Sequence, residues 1–362
     1  MVWTPKYTIT QEILSDLTKI ENVKISFNDK PLSPVLLNSL HKTAKISSTH
    51  YSTQIEGNHL TMQQVEATLY TKNKKATEYQ GHDEKEVKAY YNAISYMEKY
   101  LDENAPFFEG FVQKIHSLVE GEKKTVPYRD AQNAIYDSSD GMLVYLPPEA
   151  KDVPEMMKDL IAFVKENIDI LPTPIIAGLF HYQFVTIHPY FDGNGRTARL
   201  ITSYLMRKFG YGLKGIYSLE EYYAKDLASY YQALATHPHH NYYYGRDKAD
   251  LTSWLSYFIK GIATAFENVL TKASEEQNKG FTADIAPILR GLDIKQRKIL
   301  ELFAEYKEIT SIQAGAYLGI SSQSARLLLN KWVDEGFLKI VNTAKKNRTY
   351  GLTDKYEELL GQ

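Results

Sequence analysis

The sequence predicts a mainly α protein with a second, smaller C-terminal unit. Three observations carry this. Apolar residues recur at i, i+3, i+4 and i+7 through most of the first 270 positions. Only one convincing hairpin interrupts them, in VPYRDAQNAIYDSSDGMLVYLPP. Residues 293–353 then run as helix, helix, helix and strand–turn–strand. A chain of 362 residues exceeds what one core usually needs, which points to two or three domains. The boundaries fall at 1–110, 111–270, a polar linker at 271–292 that starts with TKASEEQNKG, and 293–362.

Residues 1–30 mix short helical and turn signals. From about Ser33 the pattern is helical, with Val35, Leu36, Leu40, Ala44 and Ile46 at helix spacings. Ser52 and Glu56 share a face of that helix, and Gly57 and Asn58 are C-cap residues. A glutamate at this end opposes the helix dipole. It is either solvated beside the cap or paired with a cation elsewhere in the fold. Thr61 caps a helix from Met62. HDEKEVKAYYNAISYMEKYL aligns Val87, Tyr90, Tyr91, Ile94, Met97 and Leu101 on one face. FFEGFVQKIHSLVE adds another helix, with His116 as a packed face residue.

The hairpin at 128–146 turns at DSSDG and ends at Pro147–Pro148. It is either a surface ribbon or a flap whose edge holds another chain by backbone pairing. VPEMMKDLIAFVKENI is helical, and IIAGLFHYQFVTI is apolar almost all round, as a central buried helix is. Helices then follow from RLITSYLMRKFG through EEYYAKDLASYYQALA to LTSWLSYFIKGIATAFENVL.

Composition excludes several classes. Charged residues are 24% and the net charge is −2, so no global field draws nucleic acid or anionic lipid. With no cysteine there are no disulfides or thiolate metal sites. The N-terminus lacks signal-peptide character, and no apolar run approaches the roughly 20 residues of a membrane span. A soluble cytoplasmic protein without membrane contact is expected. The 28 tyrosines suit half-buried helix positions.

The chemistry concentrates in HPYFDGNGRTARL, residues 188–200. Gly193, Asn194 and Gly195 can turn successive N–H groups inward as an anion nest, and the following helix points its positive end there. Asp192 is a natural Mg²⁺ ligand beside phosphates. Arg196 and Arg199, three apart on the new helix, can both reach a polyphosphate. His188 can act as a base near neutral pH. Together these suit in-line attack on a nucleotide phosphate.

From His188 to Arg199 the stretch resembles the motif H-x-F-x-[DE]-G-N-G-R-x-x-R of the Fic family, with Tyr190 in place of phenylalanine as the one departure. The resemblance covers roughly residues 33–270. It implies a Fic-type helical bundle with a hairpin flap, and transfer of AMP from ATP, with Mg²⁺, to a hydroxyl of a target protein. His188 would then be the base and Asp192 the Mg²⁺ ligand. Gly193, Asn194 and Gly195 would form the anion hole, Arg196 would meet the β-phosphate, and Arg199 the γ-phosphate. Tyr230 or Tyr231, the second being preferred, would line the adenine pocket.

The family's inhibitory motif [ST]-x-x-x-E-[GN] matches Ser52, Glu56 and Gly57. The resemblance therefore implies an inhibitory helix at about 45–57, with Glu56 paired to Arg199. Removal of AMP from targets by the same site stays open.

The C-terminal order resembles a winged helix-turn-helix. Between Lys331 and Arg348 five basic residues (Lys331, Lys339, Lys345, Lys346, Arg348) face Asp334 and Glu335, a net of +3. Gln323, Ser324 and Arg326 are a thin set for reading bases. The unit is either a DNA-binding element or a protein-contact module, including one that forms a homodimer.

Overall fold

The computed structural model describes residues 3–28, 32, 34–70, 81–136, 141–280, 291–342, 344 and 348–357. Two compact units emerge, Met1–Ser26 with Thr43–Val269, and Phe27–Lys42 with Leu270–Gln362. No helix of the described residues is long and apolar enough to cross a membrane.

The larger unit is helical. Where short helical and turn signals are expected, one 18-residue helix stands, α1 (Gln11–Asn28). Ile13, Ile20 and Val23 are its buried residues in this unit. Their spacings of seven and three keep one face apolar within a polar stretch. Helix α2 (Pro34–Ile55) is followed by α3 (Met62–Tyr70), α4 (His82–Asp102) and α5 (Glu109–Val119). Thr61 caps α3 as expected: Gln64 N–H donates to its Oγ1, and the Gln64 side chain accepts from Thr61 N–H. Ile46, Val65 and Val87 lock α2, α3 and α4 together.

The hairpin is smaller than its sequence pattern. Strands β1 (Ile135–Tyr136) and β2 (Leu143–Tyr145) pair antiparallel with one irregularity, and most of the DSSDG turn lies outside the described residues. The second arm continues against residues 240–242: Leu146 N–H donates to His240 O, and Tyr242 N–H to Leu146 O.

Helices α6 (Val153–Asn167) and α7 (Thr173–Ile187) precede the motif, and α8 (Asn194–Lys208) follows it. As its composition predicts, α7 is the central helix, with every residue except Val185 buried. The single helix expected from EEYYAKDLASYYQALA is broken into α9 (Glu220–Lys225) and α10 (Leu227–Leu234). Asp226 causes the break: its carboxylate accepts from Ser229 N–H at 3.0 Å and so starts a new helix. Last comes α11 (Thr252–Gly280), so the expected linker is helical up to Gly280, and 281–290 lie outside the described residues.

In the C-terminal unit, α12 (Ile294–Glu305), β3 (Ile309–Thr310), α13 (Ser311–Leu318) and α14 (Ser322–Asp334) lead to β4 (Leu338–Asn342), β5 (Thr349–Leu352) and α15 (Asp354–Glu357). The strands form an antiparallel sheet in the order β3-β5-β4. Its core gathers Ile299, Phe303, Leu329, Trp332 and Tyr350. Capping boxes at Asp293–Gln296 and Thr310–Gln313 start α12 and α13. Gly319, at φ 66°, ends α13 in the tight turn the sequence indicates. Gln323, Ser324 and Arg326 are exposed on α14.

Candidate active site

Helix α7 is fixed on several sides before it reaches the motif. Trp254 Nε1–H donates to Gly178 O at 2.8 Å. The Thr202 hydroxyl donates to Ala198 O, so it accepts from His181 Nδ1–H at 3.1 Å, and His181 Nε2 then accepts from the Tyr230 hydroxyl at 2.9 Å. This rigid helix ends at His188, which takes the left-handed conformation with φ 51° and ψ 60°. A non-glycine residue there costs on the order of 1–2 kcal/mol, so the surrounding contacts must hold it. His188 Nδ1 faces Val185 O at 3.4 Å. A carbonyl only accepts, so the proton sits on Nδ1 and leaves Nε2 as the basic nitrogen. Burial lowers the His188 pKa to about 4, so the ring is neutral at physiological pH.

The loop after His188 is held by its own asparagine. Tyr190 N–H donates to Asn194 Oδ1 at 3.0 Å, and Asn194 Nδ2 donates back to Tyr190 O at 2.8 Å. The Asn194 side chain is therefore committed to the loop, and only its backbone N–H is left for an anion. The Tyr190 ring stacks on His116, with centroids 3.4 Å apart and planes 8° apart. That confirms His116 as a packing residue, and it keeps the anchoring role of the aromatic position. Among the described residues the Tyr190 hydroxyl has no hydrogen-bond partner, as suits a position where the family pattern has phenylalanine.

No separate nest forms. Of the two glycines only Gly193 has positive φ (68°), and α8 begins at Asn194. Thr197 N–H is the first to close on the chain, onto Gly193 O at 2.9 Å. The N–H groups of Asn194, Gly195 and Arg196 therefore belong to the open end of a 15-residue helix, which is itself an anion site.

Arg199 is buried in that helix. Its Nε donates to Ser52 Oγ at 2.9 Å, and Nη2 donates to Ser52 O at 2.8 Å and to Glu56 Oε1 at 2.7 Å. Burial, the largest single influence, works against the charge, but Glu56, Tyr230 and Tyr90 together outweigh it and the Arg199 pKa rises. Of the two sequence readings of Glu56, the structure selects the one with a cationic partner. Glu56 lies one residue past α2, in a turn closed by Gly57 at φ 96°. Its carboxylate also lies over Gly195, where a Cβ would come within 2.4 Å of Oε1. An anion thus already stands at the opening of α8.

Arg196 is not the free cation that its spacing suggests. It pairs with Glu86 at 2.9 Å, Glu120 at 3.1 Å and Asp192 at 3.4 Å. Glu86 and Glu120 carry no signal in the sequence, where each looks like one charge on a solvated helix face. Burial raises the Glu120 carboxyl pKa against the pull of Arg196, with Asp192 and Glu86 adding to the rise. The Glu120 carboxylate fills the space a Cβ on residue 193 would need, at 2.1 Å, a second reason for glycine there. Glu86 Oε2 also accepts from Asn58 Nδ2 at 2.7 Å. The segment after Glu56 is therefore tied through Glu86 to Arg196 and Asp192.

Asp192 is itself exposed, at 77% of its side chain, with Oδ1 taking Gly193 N–H at 2.5 Å. No group of three or more His, Asp or Glu residues forms a metal site among the described residues. One open carboxylate fits Mg²⁺ held jointly with substrate phosphates, since that ion typically uses one or two acids and keeps the rest of its shell for phosphate and water. Tyr230 is buried on His181. Tyr231 is half exposed, with its hydroxyl 3.5 Å from Ile55 O, beside the Glu56 turn.

Residues 100–206 match the Fic/DOC family. That segment is similar to a Fic domain. The match holds the whole of His188–Arg199, whereas Ser52–Gly57 falls outside it. Among curated proteins, the chain is 28% identical over 182 residues to the protein adenylyltransferase Fic of Drosophila erecta, covering 49% of this chain and 35% of that protein. It is 31% identical over 103 residues to protein adenylyltransferase fic-1 of Caenorhabditis elegans, covering 26% of this chain and 20% of that one. The chain thus spans about a third or less of these relatives. In fold it is similar to a Fic family protein of Desulfovibrio desulfuricans, with a TM-score of 0.61 at 23% identity over 97% of this chain and 99% of the other.

Burial holds three histidines of the matched segment neutral. His116 and His181 have pKa values lowered to about 3, and His188 to about 4. The unfolded chain takes up these protons near pH 6.5. Below that pH the unfolded state binds more protons than the folded one. This contribution to stability is complete above about pH 6.5 and is lost as the pH falls toward 3. A histidine ring titration by NMR should show none of the three protonating between pH 6 and 7. A midpoint near 6.5 for His188 would contradict its placement.

Proposed function

We propose that the protein is an adenylyltransferase. It moves AMP from Mg²⁺–ATP to a tyrosine, threonine or serine hydroxyl of a target protein, or of itself, and Glu56 holds it in check. One placement carries this reading. The Glu56 carboxylate stands on Arg199 and over Gly195, at the helix end built to receive an anion, with a neutral His188 in the same site.

On this reading His188 Nε2 takes the proton of the target hydroxyl. The hydroxyl oxygen attacks the α-phosphorus, and the bond to the bridging oxygen breaks to release pyrophosphate. The N–H groups of Asn194, Gly195 and Arg196 stabilise charge as it develops on the phosphate oxygens. Mg²⁺, when bound, would neutralise charge on the α- and β-phosphates, and Asp192 would hold it. Arg199 would take the γ-phosphate once Glu56 leaves. Tyr231 would flank the adenine. The exposed Tyr136, Met142 and Val144 of the flap would receive the target segment.

We assign the C-terminal unit to protein contact rather than DNA. Of the five cations that favour DNA, Lys331 pairs with Glu335 at 3.4 Å, and Lys339 pairs with Asp354 and Glu357 at 2.9 and 3.0 Å. Lys345 and Lys346 lie outside the described residues. Internal pairing lowers the number of phosphates such a surface can neutralise.

Glu56→Gly is expected to raise AMP transfer, self-modification included, about tenfold or more, in line with the loss of a charge-assisted contact. Labelled-ATP incorporation measures this, and equal or lower transfer would refute inhibition by Glu56. In the same assay His188→Ala should lower transfer by roughly 10²–10⁴-fold, the usual worth of a general base, with ATP affinity retained. Full transfer in that variant would remove His188 from the mechanism.

A further inference from the structure

Arg129 stands in the first arm of the hairpin and carries no signal in the sequence. It is buried, at 3% exposure. Among the described residues no carboxylate pairs with it. Its partners are backbone carbonyls. Nε donates to His188 O at 2.9 Å, Nη2 to Ile187 O at 3.4 Å, and Nη1 to Ala131 O at 3.1 Å, while Nη2 also donates to Pro148 O. Its own N–H donates to Pro189 O at 2.9 Å.

These carbonyls form two groups. Those of Ile187 and His188 lie at the C-terminal end of α7, where carbonyls lack helical partners and the dipole is negative. Those of Ala131 and Pro148 lie at the two ends of the hairpin. One planar guanidinium therefore grips both the backbone of the left-handed His188 and the base of the flap. A single ammonium cannot span this set, because it lacks the fixed fork.

We propose that Arg129 is a positioning residue, which fixes His188 in its strained conformation and holds the base in register with the flap. This rests on the adenylyltransferase reading. Arg129 touches no reacting atom. It sets the distance between the nitrogen that takes the proton and the edge that presents the hydroxyl. Errors of about 1 Å in such placements cost on the order of 100-fold in rate.

The test is made in the full chain carrying Glu56→Gly, with Mg²⁺–ATP and labelled AMP as the readout. If Glu56→Gly alone transfers no AMP, the adenylyltransferase reading itself fails, and this inference with it. If it transfers, Arg129→Gln and Arg129→Lys should each lower kcat on the order of 100-fold while leaving KM for ATP within about twofold. A merely structural role would not produce that split. A histidine titration by NMR adds an independent readout. The charged groups acting on His188 are Arg129, Glu56 and Asp192. Loss of the cation in Arg129→Gln should raise the His188 midpoint, and Arg129→Lys should leave it in place. Should Arg129→Gln not fold, the Arg129→Lys kinetics decide. Unchanged kcat in a folded Arg129 variant, or an unmoved His188 midpoint in a folded Arg129→Gln, overturns the proposal.

Discussion

Arg199 is a buried cation, and a buried cation needs an anion. Its side chain is 1% exposed in the second turn of α8, near the positive end of the helix dipole. The chain meets that demand with the Glu56 carboxylate, delivered from a segment 143 positions away. Under the adenylyltransferase proposal the alternative anion is a γ-phosphate, and the two anions would compete for Arg199. Ser52 makes Arg199 tolerant of the exchange, because its hydroxyl and carbonyl keep two donors satisfied whichever anion is present.

A second cation with a similar problem sits beside it. Arg196 takes three carboxylates, from α4, α5 and the loop. This clamp ties Asp192 to Arg196 through Oδ1. The Asn58–Glu86 contact joins the clamp to the turn that carries Glu56. Arg196 and Arg199 are thus both fastened to the segment that carries Glu56 and Asn58.

What the sequence made legible follows from how local each feature is. The base, the acid, the glycines and both arginines stand within twelve positions, so their chemistry reads directly off the chain. The apolar run of α7 marks itself as central. The Glu56–Arg199 pair is not local: the residues alone left two readings, and only the family resemblance pointed to the pairing. Glu86, Glu120, Asn58 and Arg129 had no such guide, because an isolated charge on a helix or hairpin looks solvated until its neighbours are known. Helix α1 was missed although Ile13, Leu17 and Ile20 stand at helix spacings, and the break at Asp226 was hidden by a strong helical pattern on both sides. The Fic/DOC match covers the motif and not Ser52–Gly57, so the inhibitory arrangement rests on the geometry around Arg199 and on the resemblance of that motif.

If Glu56 and a γ-phosphate compete for Arg199, the γ-phosphate should contribute little affinity until Glu56 is removed. Calorimetric titration of ATP and ADP, each with Mg²⁺, into His188→Ala and into His188→Ala/Glu56→Gly tests this without turnover. The account predicts similar ATP and ADP affinities in the first protein. It predicts a preference for ATP of about tenfold or more in the second, the worth of one freed charge-assisted contact. The same ATP-to-ADP ratio in both proteins would contradict it.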